Sequence, residues 1–286
     1  MELLANGIGA DLGGQVATCR PLYVMGLGRT WYVNSATGDD AVNDGLHESR
    51  AFETLEQAHT ACASGDVIVL ADGFSQSVAL TITKAVTIVG AGSSAGVPTA
   101  TIRNSGAADH ALLIDSPAVV LDGVLLEHTS ATGLTFDLVQ LVLVNDADFI
   151  MRGCHSRLQR IDGVDEPFAG VVFNNAEVAM TCENSTFEAV NTTRELGAGA
   201  GVMSAYGPNI GGLIRLPGCT FDGGAFGFAG YALDLESFNG RVDALGLSLL
   251  RGADVRLHEN ATGLINPQTS TGGSQVRFTP NSGIPV

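Results

Sequence analysis

The sequence predicts an all-β chain, a parallel β-solenoid opened by one short capping helix, and three observations carry that prediction. The first is composition: 37 of the 286 residues are glycine and only 15% are charged. Together with abundant Val, Ile, Leu, Thr and Asn, this is the make-up of short strands and tight turns. The second is a repeat. From Asp66 onward, short β-rich runs end on a turn residue at Gly90, Gly123, Gly153, Asn184, Gly218 and Gly246, at intervals of 33, 30, 31, 34 and 28 residues. A period of that length holds three short strands and three turns, with no helix between them. The third is a single helix signal placed just before the first run. Six or seven coils stacked at about 4.8 Å would make a rod only about 30 Å long. A β-sandwich or jelly roll also has frequent turns, but it gives no reason for such a period or for a helix at that position.

Taken in chain order, residues 1–30 are Gly-rich and without a clear period, and read as an N-terminal arm. A strand begins at Trp31-Tyr32-Val33, followed by the turn-forming loop from Ala36 to Gly45. The helix is predicted over 55–63: Thr54-Leu55-Glu56-Gln57 matches a capping box, Leu55, Ala58, His59 and Cys62 share one face, and Ser64-Gly65 stops it. It sits where a solenoid needs a lid, because an open end exposes apolar side chains and unpaired backbone groups. The cap therefore spans 31–65, the solenoid 66–266, and an extended tail 267–286.

Charge and cysteine usage exclude several classes. The net charge is −16, with a single lysine, Lys84, and scattered arginines, so the clustered cations that nucleic acid or an anionic membrane surface would require are missing. No apolar run approaches the roughly 18 residues of a membrane span, and Met1-Glu2-Leu3-Leu4-Ala5 gives no reason to expect a secretory signal. The cysteines at 19, 62, 154, 182 and 219 are odd in number, widely spaced and free of Cys-x-x-Cys pairs, so they read as buried thiols.

The stretch Trp31-Tyr32-Val33-Asn34, Thr37-Gly38-Asp39-Asp40, Asn43-Asp44-Gly45, Phe52-x-Thr54-Leu55-x-x-Ala58, Gly65-Asp66-x-Ile68-x-Leu70 and Gly73 resembles the opening of right-handed parallel β-helix proteins of the pectate-lyase-like superfamily. It looks in particular like the versions found in bacteriophage tailspikes and other virion proteins. The detailed match covers roughly residues 31–92, and it implies a right-handed, single-stranded parallel β-helix. It is nearly silent on activity, because this fold hosts lyases, hydrolases, esterases and inert structural parts.

Few chemistry-bearing residues break that silence. The basic residue and calcium-binding aspartates of the superfamily's lyases have no counterpart. Of the polygalacturonase elements only Asp-Asp occurs, misplaced at Asp39-Asp40. Glycosidase carboxylates follow no sequence rule and need only stand about 5 to 9.5 Å apart. Asp234 and Glu236, i and i+2 on an expected strand, form one such pair, and Asp162, Asp165 and Glu166 form a second acidic patch. The alternative to both is an acidic solvated face. Arg157 and Arg160 read as a solvated turn or an interface contact. Gly90-Ala91-Gly92-Ser93-Ser94-Ala95-Gly96 matches a dinucleotide loop superficially, but Val97-Pro98 returns the chain to strand where that loop needs a helix. The six histidines have no metal-ligand spacing. No cofactor and no metal are expected.

The expectation is a non-catalytic structural protein of a bacteriophage particle, a head decoration, spike or small tail component, at the particle surface after synthesis in the host cytoplasm. The alternative is a tailspike glycan depolymerase, glycosidase or lyase, with Asp234, Glu236, Asp162 and Asp165 as candidate acids. The expected partners are other virion proteins, capsid or tail, with a host-surface glycan as a candidate ligand. A homotrimer is also expected, because Phe221, Phe226, Phe228 and Tyr231 crowd one Gly-rich coil. The arm is the expected anchor, through Leu3, Leu4, Ile8, Leu12, Leu22, Tyr23 and Met25. Burying about six such side chains against a partner supplies on the order of 10 kcal/mol before ordering costs.

Overall fold

The structure, a computed structural model, describes residues 28–104, 110–127, 139–144, 148–160, 168–173, 177–191, 203–205, 211–223, 231–235, 238–251, 253–258, 262–271 and 276–279. β1 (Thr30–Val33) and α1 (Leu55–Ala61) form the cap. The first coil is β2 (Val67–Leu70), β3 (Ser75–Val78) and β4 (Leu80–Ile82). The second is β5 (Thr87–Gly90), an antiparallel hairpin of β6 (Ser93–Ser94) and β7 (Val97–Pro98), then β8 (Thr101–Asn104) and β9 (His110–Ile114). Four coils of three strands follow: β10 (Val119–Asp122), β11 (Leu125–Glu127), β12 (Val139–Val144); β13 (Phe149–Arg152), β14 (His155–Arg160), β15 (Phe168–Phe173); β16 (Glu177–Glu183), β17 (Thr186–Asn191), β18 (Met203–Ala205); and β19 (Gly211–Arg215), β20 (Thr220–Asp222), β21 (Leu233–Leu235). In the last two coils one long strand turns the first corner: β22 (Arg241–Leu250) with β23 (Val255–His258), and β24 (Thr262–Ser270) with β25 (Val276–Thr279).

All pairings between coils are parallel, and the strands line three faces. The first face stacks β1-β2-β5-β10-β13-β16-β19-β22, the second β3-β8-β11-β14-β17-β20-β22, and β22 and β24 join the two into one 15-stranded sheet. The third face is an 8-stranded sheet from β4 to β25. The chain is thus a parallel β-helix. One strand of the third face per coil makes eight coils, more than the six or seven expected, and about 35 Å of stack. The expected boundary at 266 moves as well: β24 runs through Ser270 on β22, and β25 (Val276–Thr279) pairs with β23, so these two segments of the supposed tail build the last coil.

The predicted turn residues stack. Gly123, Gly153, Asn184, Gly218 and Gly246 occupy one corner in successive coils, all with positive φ between 48° and 71°. Each of the first four donates its N–H to the coil above, from Gly123 to Arg152 O at 2.9 Å through to Gly218 to Leu245 O at 3.0 Å. Glycine, and asparagine once, is what a left-handed corner tolerates. Gly90 is glycine for a different reason: a Cβ there would lie 2.2 Å from the carbonyl oxygen of Gly123. The residue after each corner points inward and is buried: Val124, Cys154, Ser185, Cys219 and Leu247. At two of these positions a thiol lies against a carbonyl of the coil below, Cys154 at 3.5 Å from Leu121 O and Cys219 at 3.1 Å from Cys182 O. Burial, reinforced by Cys219, pushes the Cys182 thiol well up, as expected of a packed thiol.

Inside, side chains of equal register form ladders. On the first face Trp31, Ile68, Ile88, Leu121, Met151 and Cys182 stack in line, all buried. On the second face the line is Ile102, Leu126, Ser156, Phe187, Phe221 and Leu249. The rings of Phe187 and Phe221 are 4.9 Å apart and nearly parallel. Phe221 is therefore core, which removes it from the set expected to face another subunit, while Tyr231 is half-buried beneath the Arg256 guanidinium, 4.6 Å from its ring centre. Phe226 and Phe228 lie outside the described residues.

Ser156 is the odd member of its ladder, fully buried with a hydroxyl that finds no partner among the described residues. Because a buried, unsatisfied polar group costs free energy, Ser156→Ala is expected to stabilise the fold by about 1 kcal/mol. A higher urea midpoint at unchanged slope would show it, and a lower midpoint would mean the hydroxyl is bonded in solution.

The cap explains the opening motif residue by residue. Asp40 accepts from the N–H groups of Glu53 (2.7 Å) and Thr54 (3.1 Å) and from the Thr54 hydroxyl (2.5 Å). Asp39 accepts from Ala41 and Val42, while Asp44 accepts from Leu46 and pairs with Arg50 at 2.8 Å. Gly38 and Gly45 are needed because a Cβ at either would strike Phe52. Thr54 Oγ1 accepts the Gln57 N–H, so the predicted N-cap is present, and Leu55, Ala58, His59 and Cys62 form the buried face. The helix ends at Ala61, where Lys84 donates to the carbonyls of His59, Thr60 and Cys62, a favourable place for a cation. Asp66, buried, accepts from the Trp31 indole (2.8 Å) and from the N–H groups of Ala63 (2.8 Å) and Arg29 (2.7 Å). Gly28 and Arg29 therefore belong to the cap, while residues 1–27 of the expected arm lie outside the described residues.

Candidate functional site

Asp234 lies on the outer side of β21. Arg256, one coil on, grips its carboxylate with two hydrogen bonds of 2.9 and 2.5 Å, and the guanidinium also covers Tyr231. Both oxygens are thereby engaged by a cation. Its proposed companion Glu236 lies outside the described residues, as do Asp162, Asp165 and Glu166 and the arm residues Leu3, Leu4, Ile8, Leu12, Leu22, Tyr23 and Met25. Among the described residues no group of three or more His, Cys, Asp or Glu side chains is placed to hold a metal ion.

The strongest arrangement of charge is one the sequence reading did not assemble. On the outer side of the second face, the register aligns Ser77, Arg103, Glu127, Arg157, Glu188 and Asp222, one per coil. Arg103 pairs with Glu127 at 3.1 Å, Arg157 bridges Glu127 at 3.3 Å and Glu188 at 3.4 Å, and Arg251 chelates Asp222. His155 adds a 3.0 Å contact to Glu188; burial holds its imidazole below the ordinary value although Glu188 opposes the shift. Arg157, read from sequence as a solvated turn or interface residue, is thus a strand residue in a ladder of pairs. Each pair is partly exposed and contributes about 0 to 1 kcal/mol, so the ladder defines a surface more than it stabilises the fold.

The first face carries shorter versions of the same pairing. Arg152 meets Glu183 at 3.4 Å, and Arg241 meets Asp243 at 2.9 Å. Asp243's carboxyl is held below its ordinary value, chiefly by the Arg241 hydrogen bonds. Near the start of these strands an open groove of about 410 Å³ runs past Ala118, Asp148, Ile150, Ala179, Leu213 and Arg215. Ala118 and Asp148 both hold positive φ, at 59° and 67°. Its described lining is largely apolar and contributes one carboxylate, Asp148, and one guanidinium, Arg215. That set can bind a polar ligand by charge and contact, but it supplies a single acid where glycoside hydrolysis uses two.

No protein-family model matches the chain, and no curated protein matches it. Among solved structures it is similar to the GH136 lacto-N-biosidase from Eubacterium ramulus, in its selenomethionine derivative, with a TM-score of 0.41 and 10% sequence identity over 88% of this chain and 67% of that chain.

Proposed function

We propose that this chain is a non-catalytic structural protein of a bacteriophage particle, a head-surface decoration or spike or a small tail component, with its β-helix pointing outward. One observation carries the non-catalytic part: carboxylates along the coils are consumed by cations. Glu127 and Glu188 are held by Arg103, Arg157 and His155, Glu183 by Arg152, Asp222 by Arg251, Asp234 by Arg256 and Asp243 by Arg241. A carboxylate gripped by a guanidinium has its oxygens engaged within the chain, and a rigid, paired surface of this kind suits a scaffold. The particle context comes from the resemblance of residues 31–92 to phage β-helix proteins. Residues 1–27 are the proposed anchor, and cutting there leaves the Arg29–Asp66 contact intact.

The second reading, a glycan depolymerase, is favoured by the groove between Asp148 and Arg215. Incubation with host-surface polysaccharide separates the two readings. The structural reading requires no new reducing ends and no unsaturated products. Either product, lost in a variant of Asp148 or Asp234, would establish the depolymerase.

A further inference from the structure

We propose that the outer side of the second face is a docking surface for a second copy of this chain, packed antiparallel about a two-fold axis that runs along the strand direction between β11 and β14. The signs on this face, in coil order, are + − + − for Arg103, Glu127, Arg157 and Glu188. An even, alternating run is complementary to its own reverse. The two-fold sets Arg103 against Glu188 of the second copy and Glu127 against Arg157 of the second copy, each contact occurring twice, as an isologous interface requires.

The neighbouring outward row fits the same operation. It reads Ser75, Thr101, Leu125, His155, Thr186 and Thr220. The axis sets Thr101, already buried, opposite Thr186 of the second copy, and Ser75 opposite Thr220 of the second copy. Asp222, already chelated by Arg251, falls opposite the neutral Ser77 of the second copy.

Other arrangements of the same surfaces place like charges together. Rotation about the solenoid axis, whether two-fold or three-fold, keeps coils level, so Arg103 approaches Arg103 of another copy. On the first face the run Asp122, Arg152, Glu183 is − + −, an odd series whose reversal sets Arg152 against Arg152 of the second copy. The second face carries the longest such alternating run among the described residues; Arg215 with Asp243 on the first face and Asp234 with Arg256 on the third are runs of two. The second face spans about six strands, roughly 25 to 30 Å by 10 Å, so the charge ladder by itself buries only about 600 Å² between two copies, less than a stable interface, and association rests on charge complementarity. The dimer is therefore expected to be salt-sensitive. The inference is independent of the virion reading.

Sedimentation equilibrium of the full chain tests it. The proposal requires a dimer at tens of micromolar in about 50 mM salt whose apparent Kd rises at least about tenfold by about 500 mM. Glu127→Arg, which sets like charges across the axis twice, should abolish it while circular dichroism shows an intact fold. The double exchange Glu127→Arg with Arg157→Glu makes the run + + − −. That run remains complementary to its reverse but breaks two pairs within the chain. Dimerisation should return in this variant while the denaturation midpoint stays below that of the parent. A monomer at low salt, a trimer, a dimer indifferent to Glu127→Arg, or failure of the double exchange to restore association in a folded protein would each overturn the proposal.

Discussion

Replacing Phe221 by alanine is expected to destabilise the fold by about 3 to 5 kcal/mol. The ring is fully buried, stacks on Phe187 at 4.9 Å and rests between Asn- and Gly-bearing corners that fix the backbone on either side. Its removal leaves a cavity inside a stack whose coils are held in register by their neighbours, so collapse is limited and both transfer and cavity costs apply. Denaturation followed by circular dichroism should show the lowered midpoint in monomeric protein. An unchanged midpoint with altered oligomeric state would return Phe221 to an interface.

The second large effect is expected at Asp66. Asp66→Ala removes the acceptor for the Trp31 indole and for the N–H groups of Arg29 and Ala63, orphaning three donors at the junction of arm, helix and first coil. A loss of about 3 to 5 kcal/mol follows. The effect depends on pH with a definite sign. Burial pushes the Asp66 carboxyl up, but the hydrogen bonds from Trp31, Ala63 and Arg29 outweigh it and leave the group below the ordinary carboxylate value. Its contribution is thus complete above the unfolded value near 3.9 and is lost as pH falls through the lower folded value. Denaturation midpoints of parent and variant should differ most above about pH 5 and converge in acid. A gap that stays constant down to about pH 2 would contradict the assignment.

These residues show what a sequence discloses about such a fold. The corner stack was legible because a left-handed corner restricts residue type, so its chemistry repeats with each coil. The core was half legible. Thr186-Phe187-Glu188 and Thr220-Phe221-Asp222 share a polar-apolar-polar pattern that places the ring inward on a short strand, yet the aromatic crowding around Phe221 suggested an interface instead. The last coil was missed because β24 contains Pro267 and the chain beyond it is rich in turn residues. Only pairing with β22 makes it a strand.

The charge ladder was hidden by register. From Glu127 onward its intervals are 30, 31 and 34 residues, the same as those of the corners. Arg103 lies only 24 residues before Glu127, because the β6–β7 hairpin lengthens its coil upstream of β8. Aligning the coils on their corners, rather than scanning for local motifs, would have brought Arg103, Glu127, Arg157 and Glu188 together. Asp234 shows the converse limit. Strand parity placed it outward, but nothing in the sequence announced that Arg256, in the next coil, would occupy its carboxylate.

The central claim is that this chain is a built-in part of a virus particle. The most direct measurement is electron cryo-microscopy of purified particles, with the β-helix located in the density and the chain counted by mass spectrometry. The account predicts an eight-coil rod on the particle surface, outermost at its β-helix and attached through residues 1–27, at fixed copy number. Particles that assemble fully and contain none of this chain would contradict it.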